Sequence, residues 1–337
     1  MLMYSLRRLL AAIPVLLAAS VFTFLLVELS PADPLDEIIF QIPPPDPETI
    51  QSFRERLYQD RPMWERYWLW LTGLGQHNGD IGLLQGRFGP STSEAMHIGT
   101  EVSQRAIISL RLVFGATLIG AVLGIFAGVV SALKQYSKVD HTFTSLGFLF
   151  LAMPIFWVAA LVRETGVRIN DVVGYRFFAT FGATSHNYAQ MSFFEKVQDV
   201  VAHLTLPTVA LVLSGYAIYH RYQRASMLEV LNSDYVRLAK AKGLRHRIVM
   251  RRHALRNALI PVSVILTPAI ITAVGGAVIT ETIFRWRGLG VYLVDAINNS
   301  DVFAVMAVVL FLGIFVILGN LLADLMLAVL DPRIRYE

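Results

Sequence analysis

Runs of apolar residues without a charge recur along the chain at residues 9–27, 112–133, 142–162, 257–280 and 302–323. A weaker run at 200–219 is softened by His203 and stopped by His220 and Arg221. Each is near the roughly 20 residues that a helix needs to cross a bilayer core. The pattern therefore predicts six transmembrane helices. The first run holds twelve Leu, Ile, Val or Phe residues, worth roughly −0.3 to −0.6 kcal/mol each at a helix centre. Pro14, Ser20 and Thr23 reduce that drive without cancelling it. Arg7-Arg8 ahead of this run and Ser30-Pro31-Ala32 after it resemble a secretory leader. The apolar stretch exceeds the usual 7–15 residues of such a leader, so an uncleaved helix is expected.

Composition agrees. The 337 residues are 55% hydrophobic and only 16% charged, with a mean hydropathy of +0.54. Soluble domains carry roughly 25% charged residues, and disordered chains are poor in apolar ones. The absence of cysteine removes disulfides, thiolate nucleophiles and Cys-based metal sites. Charge gives the orientation. Sixteen Lys or Arg residues flank one side of the predicted spans and eleven the other, where the 31–104 segment also holds eleven acids. The positive side is cytoplasmic, which places both termini there.

The outer segment, 31–104, is too long for a bare connector. Pro43-Pro44-Pro45 with Pro47 starts it as extended polyproline chain, a short helix follows at 48–57, and Asp60-Arg61-Pro62 ends that helix. Trp64, Tyr67, Trp68 and Leu71 then recur on one helical face. That stripe suits either a helix lying flat at the outer membrane surface or the core of a small outer subdomain. Gly120, Gly124 and Gly128 lie on one face of the second span and predict close packing with another helix. Pro154 should kink the third span beside Phe156 and Trp157. The second outer segment, 163–202, carries five phenylalanines expected to pack on the outer helix ends. Arg105 and Arg111 at the start of the second span suit snorkelling to outer head groups or a substrate contact.

The cytoplasmic loop 221–261 is the longest on its side and holds ten of the sixteen basic residues. Asp234 to Lys242 is helix material that Ser233 or Asp234 can cap, and Gly243 supplies a left-handed stop. A second basic helix should run from His246 to about Ala258. Positive-inside retention beside anionic lipid accounts for the charge but not for the helix–glycine–helix spacing, which suits a docking protein. Aromatic residues are too few here for nucleic-acid stacking.

Several chemistries are excluded. No lysine follows a glycine, so no P-loop is possible. No histidine precedes a glutamate, which removes H-E-x-x-H, and no G-x-S-x-G occurs. No catalytic residue and no metal site is expected. Carboxylates sit near span ends, as Glu28, Glu281 and Asp324 do. A proton-coupled carrier acting alone would keep them at mid-membrane, and a membrane scaffold would leave six spans unexplained.

Residues 224–244 (RASMLEVLNSDYVRLAKAKGL) and 253–261 (HALRNALIP) resemble the cytoplasmic "EAA" motif of the B-type permease subunits of dipeptide/oligopeptide ABC importers. Glu281-Thr-Ile-Phe284 with Gly288-Leu-Gly290, the ending 330–335, the N-terminal Leu6-Arg-Arg-Leu9 and Gly79-Asp-Ile-Gly82 fit as well. The resemblance covers nearly the whole chain. Departures lie on the outer side: Ala32 where the family has glycine, Arg285 and Arg287 flanking Trp286, and a third span that ends at Val162-Arg163-Glu164.

The resemblance implies an all-α membrane protein of the type I ABC importer permease fold. Its parts would be a first helix at 1–30, an extracytoplasmic segment at 31–104 and a five-helix core at 105–337, with the ATPase-coupling loop at about 221–257. Implied partners are a second permease, two ABC ATPases that carry ATP and Mg, an outer substrate-binding protein, peptide and membrane lipid. The chain itself would bind no cofactor and hydrolyse nothing. Implied coupling residues are Asp234, Arg237, Ala239, Lys240, Ala241, Lys242, Gly243 and Leu244, the two alanines allowing close approach. Met153, Pro154, Phe156, Gly275, Gly276 and Thr280 are candidates for the substrate pathway. Nickel or another small solute is the alternative cargo.

Overall fold

The computed structural model describes residues 2–31, 33–35, 39, 45–75, 79–92 and 97–330. The six apolar runs all fall in helices: α1 (Leu2–Glu28), α4 (Ile98–Leu133), the pair α5 (Lys138–Ala152) and α6 (Ile155–Val173), α7 (Phe193–Leu231), α9 (Leu255–Ile283) and α11 (Val302–Leu330). Shorter helices are α2 (Pro47–Arg56), α3 (Met63–Thr72), α8 (Asp234–Ala241) and α10 (Leu289–Asn298). A two-stranded antiparallel hairpin, β1 (Ile81–Gly82) with β2 (Arg87–Phe88), pairs Ile81 with Phe88. The Pro43–Pro44 start of the outer segment, Ala32 and the ending at 331–335 lie outside the described residues.

Among the described residues, 6–28, 98–133, 193–231 and 302–325 are helices long and apolar enough to cross a membrane, and α5 with α6 passes as a bent pair. The third run is broken rather than kinked. Proline disfavours helical backbone at the residue before it, so Met153 is extended (ψ 131°) and ends α5. Pro154 then starts α6, and the two axes meet at 111°. α6 continues past Arg163 to Val173, because the Arg163 guanidinium donates to the Ile283 carbonyl at the end of α9 (2.9 Å) and lies over Phe181.

The chain folds as two compact units. One comprises residues 6–109 and 287–315, around a core of Trp70, Tyr58, Ile81, Val102, Leu289 and Phe303. Tyr67 and Leu71 pack on this core, whereas Trp64 is 70% exposed and Trp68 55%. The apolar stripe of α3 is therefore split. Its inner edge builds a subdomain core, shared with Leu69 and Trp70, and the two tryptophans remain outside. Arg66 is buried against Glu28, and burial pushes its guanidinium below the ordinary value while Glu28 opposes the shift. Asp301 caps α11 by accepting from the Ala304 amide (3.0 Å), and its other oxygen accepts from Ser91 Oγ (2.6 Å) and the Thr92 amide (3.0 Å).

The second unit comprises residues 1–5, 110–286 and 316–337, with α7 packed against α5, α6 and α9. The glycines of α4 meet α7. A Cβ at Gly124 would stand 2.6 Å from Tyr219 Cβ, and one at Gly128 would stand 2.7 Å from Gln223 Cβ. Small residues permit this approach in lipid, where dispersion and polar contacts replace the hydrophobic drive between helices. The end of α9 is equally tight: Phe284 is buried with Ala159, Leu206 and Ala210, and Trp286 is fully buried. Of the phenylalanines in 163–202, Phe178 joins this cluster, while Phe193 and Phe194 are nearly four-fifths exposed.

Both arginines at the start of the second span have partners within the protein. Arg105 pairs with Glu101 (2.7 Å) over the Tyr292 ring. Arg111 lies over Trp286 and donates to the Ala183 carbonyl (3.1 Å). In each case a neighbouring aromatic face and an oxygen acceptor hold the cation inside its own unit.

Candidate functional site

The basic loop forms one ordered element. α8 starts after Ser233, whose backbone is extended (φ −70°, ψ 151°) as an N-cap requires. The Ser233 hydroxyl turns back to the Val230 carbonyl (2.6 Å) rather than onto α8. At the other end Gly243 adopts φ +75°. The Leu244 amide reaches the Ala239 carbonyl (3.4 Å) and the Gly243 amide the Lys240 carbonyl (3.0 Å). These two bonds form a Schellman stop, which a left-handed residue at this position makes possible.

One face of α8 is locked to the chain. Val236 and Ala239 are buried with Met227 at the end of α7, Ala132 at the end of α4, and Val249, Ala254 and Ala258. The expected separate helix from His246 is instead a single turn, His246–Ile248, followed by a π-helical segment, Val249–Ala254, that runs directly into α9. Such π segments are frequent at functional sites. Here the extra residue per turn accompanies the full burial of Val249 and Ala254 beneath α8.

The opposite face is open. Asp234, Arg237, Lys240, Ala241, Lys242, Gly243 and Leu244 are exposed, with Arg237 3.8 Å from Asp234. Ala239 is the exception among the eight coupling candidates, since its methyl fills the chain's own core and faces no outside surface. Tyr235 (42% exposed) and Leu238 (56%) add an apolar patch that charge counting missed. Their spacing, with Val236 and Ala239 on the other side, was the available signal.

Asp140 was also missed. It sits in the first turn of α5 and accepts two bonds from Arg224 (2.7 Å each), one from the Tyr136 amide (2.9 Å) and one from Thr144 Oγ1 (3.3 Å). This cluster ties the start of α5 to α7 two turns before the end of α7 at Leu231. Asp140→Asn removes the charge from this pairing and should melt below the wild type at pH 7. Arg224→Ala should cost about 3 kcal/mol at pH 7 by leaving a buried carboxylate without its cation, with only the Tyr136 amide and Thr144 hydroxyl still bonded to it.

The pathway candidates divide between two helices. Met153 and Pro154 form the α5–α6 break, and Phe156 is half exposed on the first turn of α6. Thr280 is fully buried near the end of α9. Gly275 and Gly276 fall within α9, and their surroundings lie outside the described residues. A small cleft of about 70 Å³ does join α4, α6, α7 and α9, lined by Thr117, Ile155, Ser214, Tyr219 and Ala273. It brings together neighbours of the candidates rather than the candidates themselves.

These features define a membrane-embedded helical protein with an ordered basic element at α8 and no P-loop motif in its sequence. Residues 107–336 match the family described as the binding-protein-dependent transport system inner membrane component, and residues 1–105 match its N-terminal companion. The chain belongs to this family of inner-membrane transport permeases. It is 36% identical to the oligopeptide transport system permease protein OppB of Mycobacterium bovis, over 98% of both chains. It is 34% identical to the oligopeptide permease AppB of Bacillus subtilis over 99% of both chains, and 33% identical to the dipeptide permease DppB of Escherichia coli over the full length of both. Among solved structures it shares the fold of a chain of the MetNI methionine ABC transporter in an inward-facing form, with a TM-score of 0.51 and 17% identity. That match covers 68% of this chain and 96% of the other.

Proposed function

We propose that the chain is the transmembrane permease subunit of an ATP-driven importer of di- and oligopeptides, forming half of the translocation pathway and receiving work through α8. The observation that carries this reading is the two-faced α8. Its basic outer face is free to dock, and its inner face is keyed to α4, α7 and the segment leading into α9. A helix held so can act as a rigid lever: when two ATPase subunits close on ATP and Mg, displacement of α8 is passed to three membrane helices at once. ATP and Mg stay on those partners. The peptide class is supported by the full-length relatives described above, and a receptor outside the membrane would select the cargo.

In the same proposal six spans cross the membrane, counting α5 and α6 as one, and both termini are cytoplasmic. Residues 31–104 lie outside, 105–337 form the permease core, and 221–257 form the coupling loop. A second homologous permease completes the pathway. Met153, Pro154, Phe156, Gly275, Gly276 and Thr280 are its proposed lining.

Uptake of labelled di- to pentapeptides by a deletion strain carrying this chain tests the proposal. Restored peptide uptake that requires the ATPase partners is expected. Uptake of nickel in place of peptide would reassign the cargo, and transport by the purified chain alone in liposomes would overturn the subunit role.

A further inference from the structure

A groove between α5 and α7 stands apart from the coupling element. Asp140 lies against Arg224 at one end of the helix pair, and Gly147 lies against Ala217 and His220 one to two turns further on, so α5 and α7 run antiparallel here. The groove between them has a cavity of about 160 Å³, with Thr144, Arg221 and Ala225 at its basic end and Phe148, Leu151 and Ala217 beyond. From Thr144 to Leu151 it extends roughly 10 Å along the helix axis. Phe148 is 59% exposed and Leu151 45%, although Gly147 between them is buried. The apolar wall is therefore open along its length.

Charge at the open end is one-sided. The Asp140 carboxylate is taken up by Arg224, Tyr136 and Thr144. Arg221 lines this end of the cavity and is exposed, Lys134 and Lys138 are exposed in the chain just before and at the start of α5, and no ion pair joins any of the three to an acid among the described residues. The Arg221 guanidinium packs over the neighbouring Tyr222 ring. A cation-rimmed mouth that leads into a methyl- and phenyl-lined channel parallel to the membrane-crossing helices matches one kind of molecule. It has an anionic head and an apolar chain, and it is oriented along the bilayer normal.

We propose that this groove is a binding site for one anionic phospholipid, its phosphate at Arg221 and one acyl chain along Phe148 and Leu151. Charge complementarity selects an anionic over a zwitterionic head group, and the open apolar wall selects a lipid over a free phosphate. A juxtamembrane cation is worth enough near an anionic surface to change lipid retention about fivefold. The site depends only on α5 and α7 crossing the bilayer, whatever the transported cargo.

The full-length chain, purified with its co-expressed subunits in lipid nanodiscs, provides the test by native mass spectrometry. Phosphatidylglycerol should remain bound through detergent exchange while phosphatidylcholine is lost. Arg221→Gln removes the head-group contact at an exposed position and should reduce phosphatidylglycerol retention about fivefold. Ala225→Trp should block the mouth and do the same, with melting temperatures unchanged. Equal retention in both variants, or equal retention of phosphatidylcholine, would overturn the site. Displacement of the lipid signal by inorganic phosphate would assign a free-anion site instead, and cross-linking of Ala225→Cys to a second protein chain would show that protein covers the groove. Each of these results leaves the peptide-uptake assay unaffected, so failure of the lipid site and failure of the transport role are separable.

Discussion

Gly243→Val is expected to reduce peptide import at least tenfold while the assembled transporter continues to hydrolyse ATP. The residue occupies φ +75°, where a β-branched side chain is strongly disfavoured, and a left-handed L-residue costs roughly 1–2 kcal/mol. An added Cβ would meet nothing within 4 Å, so no packing is lost and the chain should still fold. What changes is the stop itself. Without a left-handed residue the amides of Gly243 and Leu244 no longer reach the carbonyls of Lys240 and Ala239, and the exposed end of α8 is re-aimed. Gly243→Asn, which tolerates left-handed backbone, should keep most of the transport. The measurement is peptide imported per ATP hydrolysed in proteoliposomes. A Gly243→Val transporter with an unchanged ratio would remove the lever from the mechanism.

The second large effect falls inside the membrane. Gly124→Ala and Gly128→Ala place a methyl 2.6–2.7 Å from side-chain carbons of α7, and backbone atoms of α7 lie only 2.9–3.1 Å away. A flexible side chain could yield at that distance, but two packed backbones cannot separate locally, so α4 and α7 must part along their whole crossing. Overpacking of this kind costs typically 1–3 kcal/mol or more. The double variant should lower the melting temperature in detergent by several degrees and sharply reduce the amount of folded protein. Gly115→Ala on the same helix is the control. Its Cβ would meet nothing within 4 Å, and the gain in helix propensity should leave stability equal or slightly higher.

Much of this molecule was legible because lipid imposes a simple rule. Charge-free runs must be helical where no water can satisfy the backbone, and all six runs fall in helices. The Gly120-Gly124-Gly128 face was legible for a related reason, since a row of small residues has one main use between apolar helices. The stop at Gly243 followed from a residue type with one conformational specialty. Pro154 was legible as an interruption. Its size was not, because the effect on the preceding residue turned a kink into a 111° break.

The candidate site was legible by charge but not by face. Sequence placed Arg237, Lys240 and Lys242 on an ordered basic element, and its hydropathy alone could not show that Ala239 turns inward while Tyr235 and Leu238 turn outward. That choice depends on which methyls of α7, α4 and the π segment lie beneath.

Sequence alone determined that the chain is a bundle of lipid-crossing helices with a basic, glycine-stopped cytoplasm-side element and no P-loop motif. Each of these depends on local composition and on the backbone preferences of a few residues. Tertiary structure alone decided the partners of Asp140, Arg105, Arg111 and Asp301, the split of the α3 stripe and the buried face of α8. Most of those outcomes bring together residues far apart in the chain, such as Asp140 with Arg224 and Arg105 with Tyr292. In such pairs the energy of burying a charge or a ring is settled only by what the fold brings to meet it.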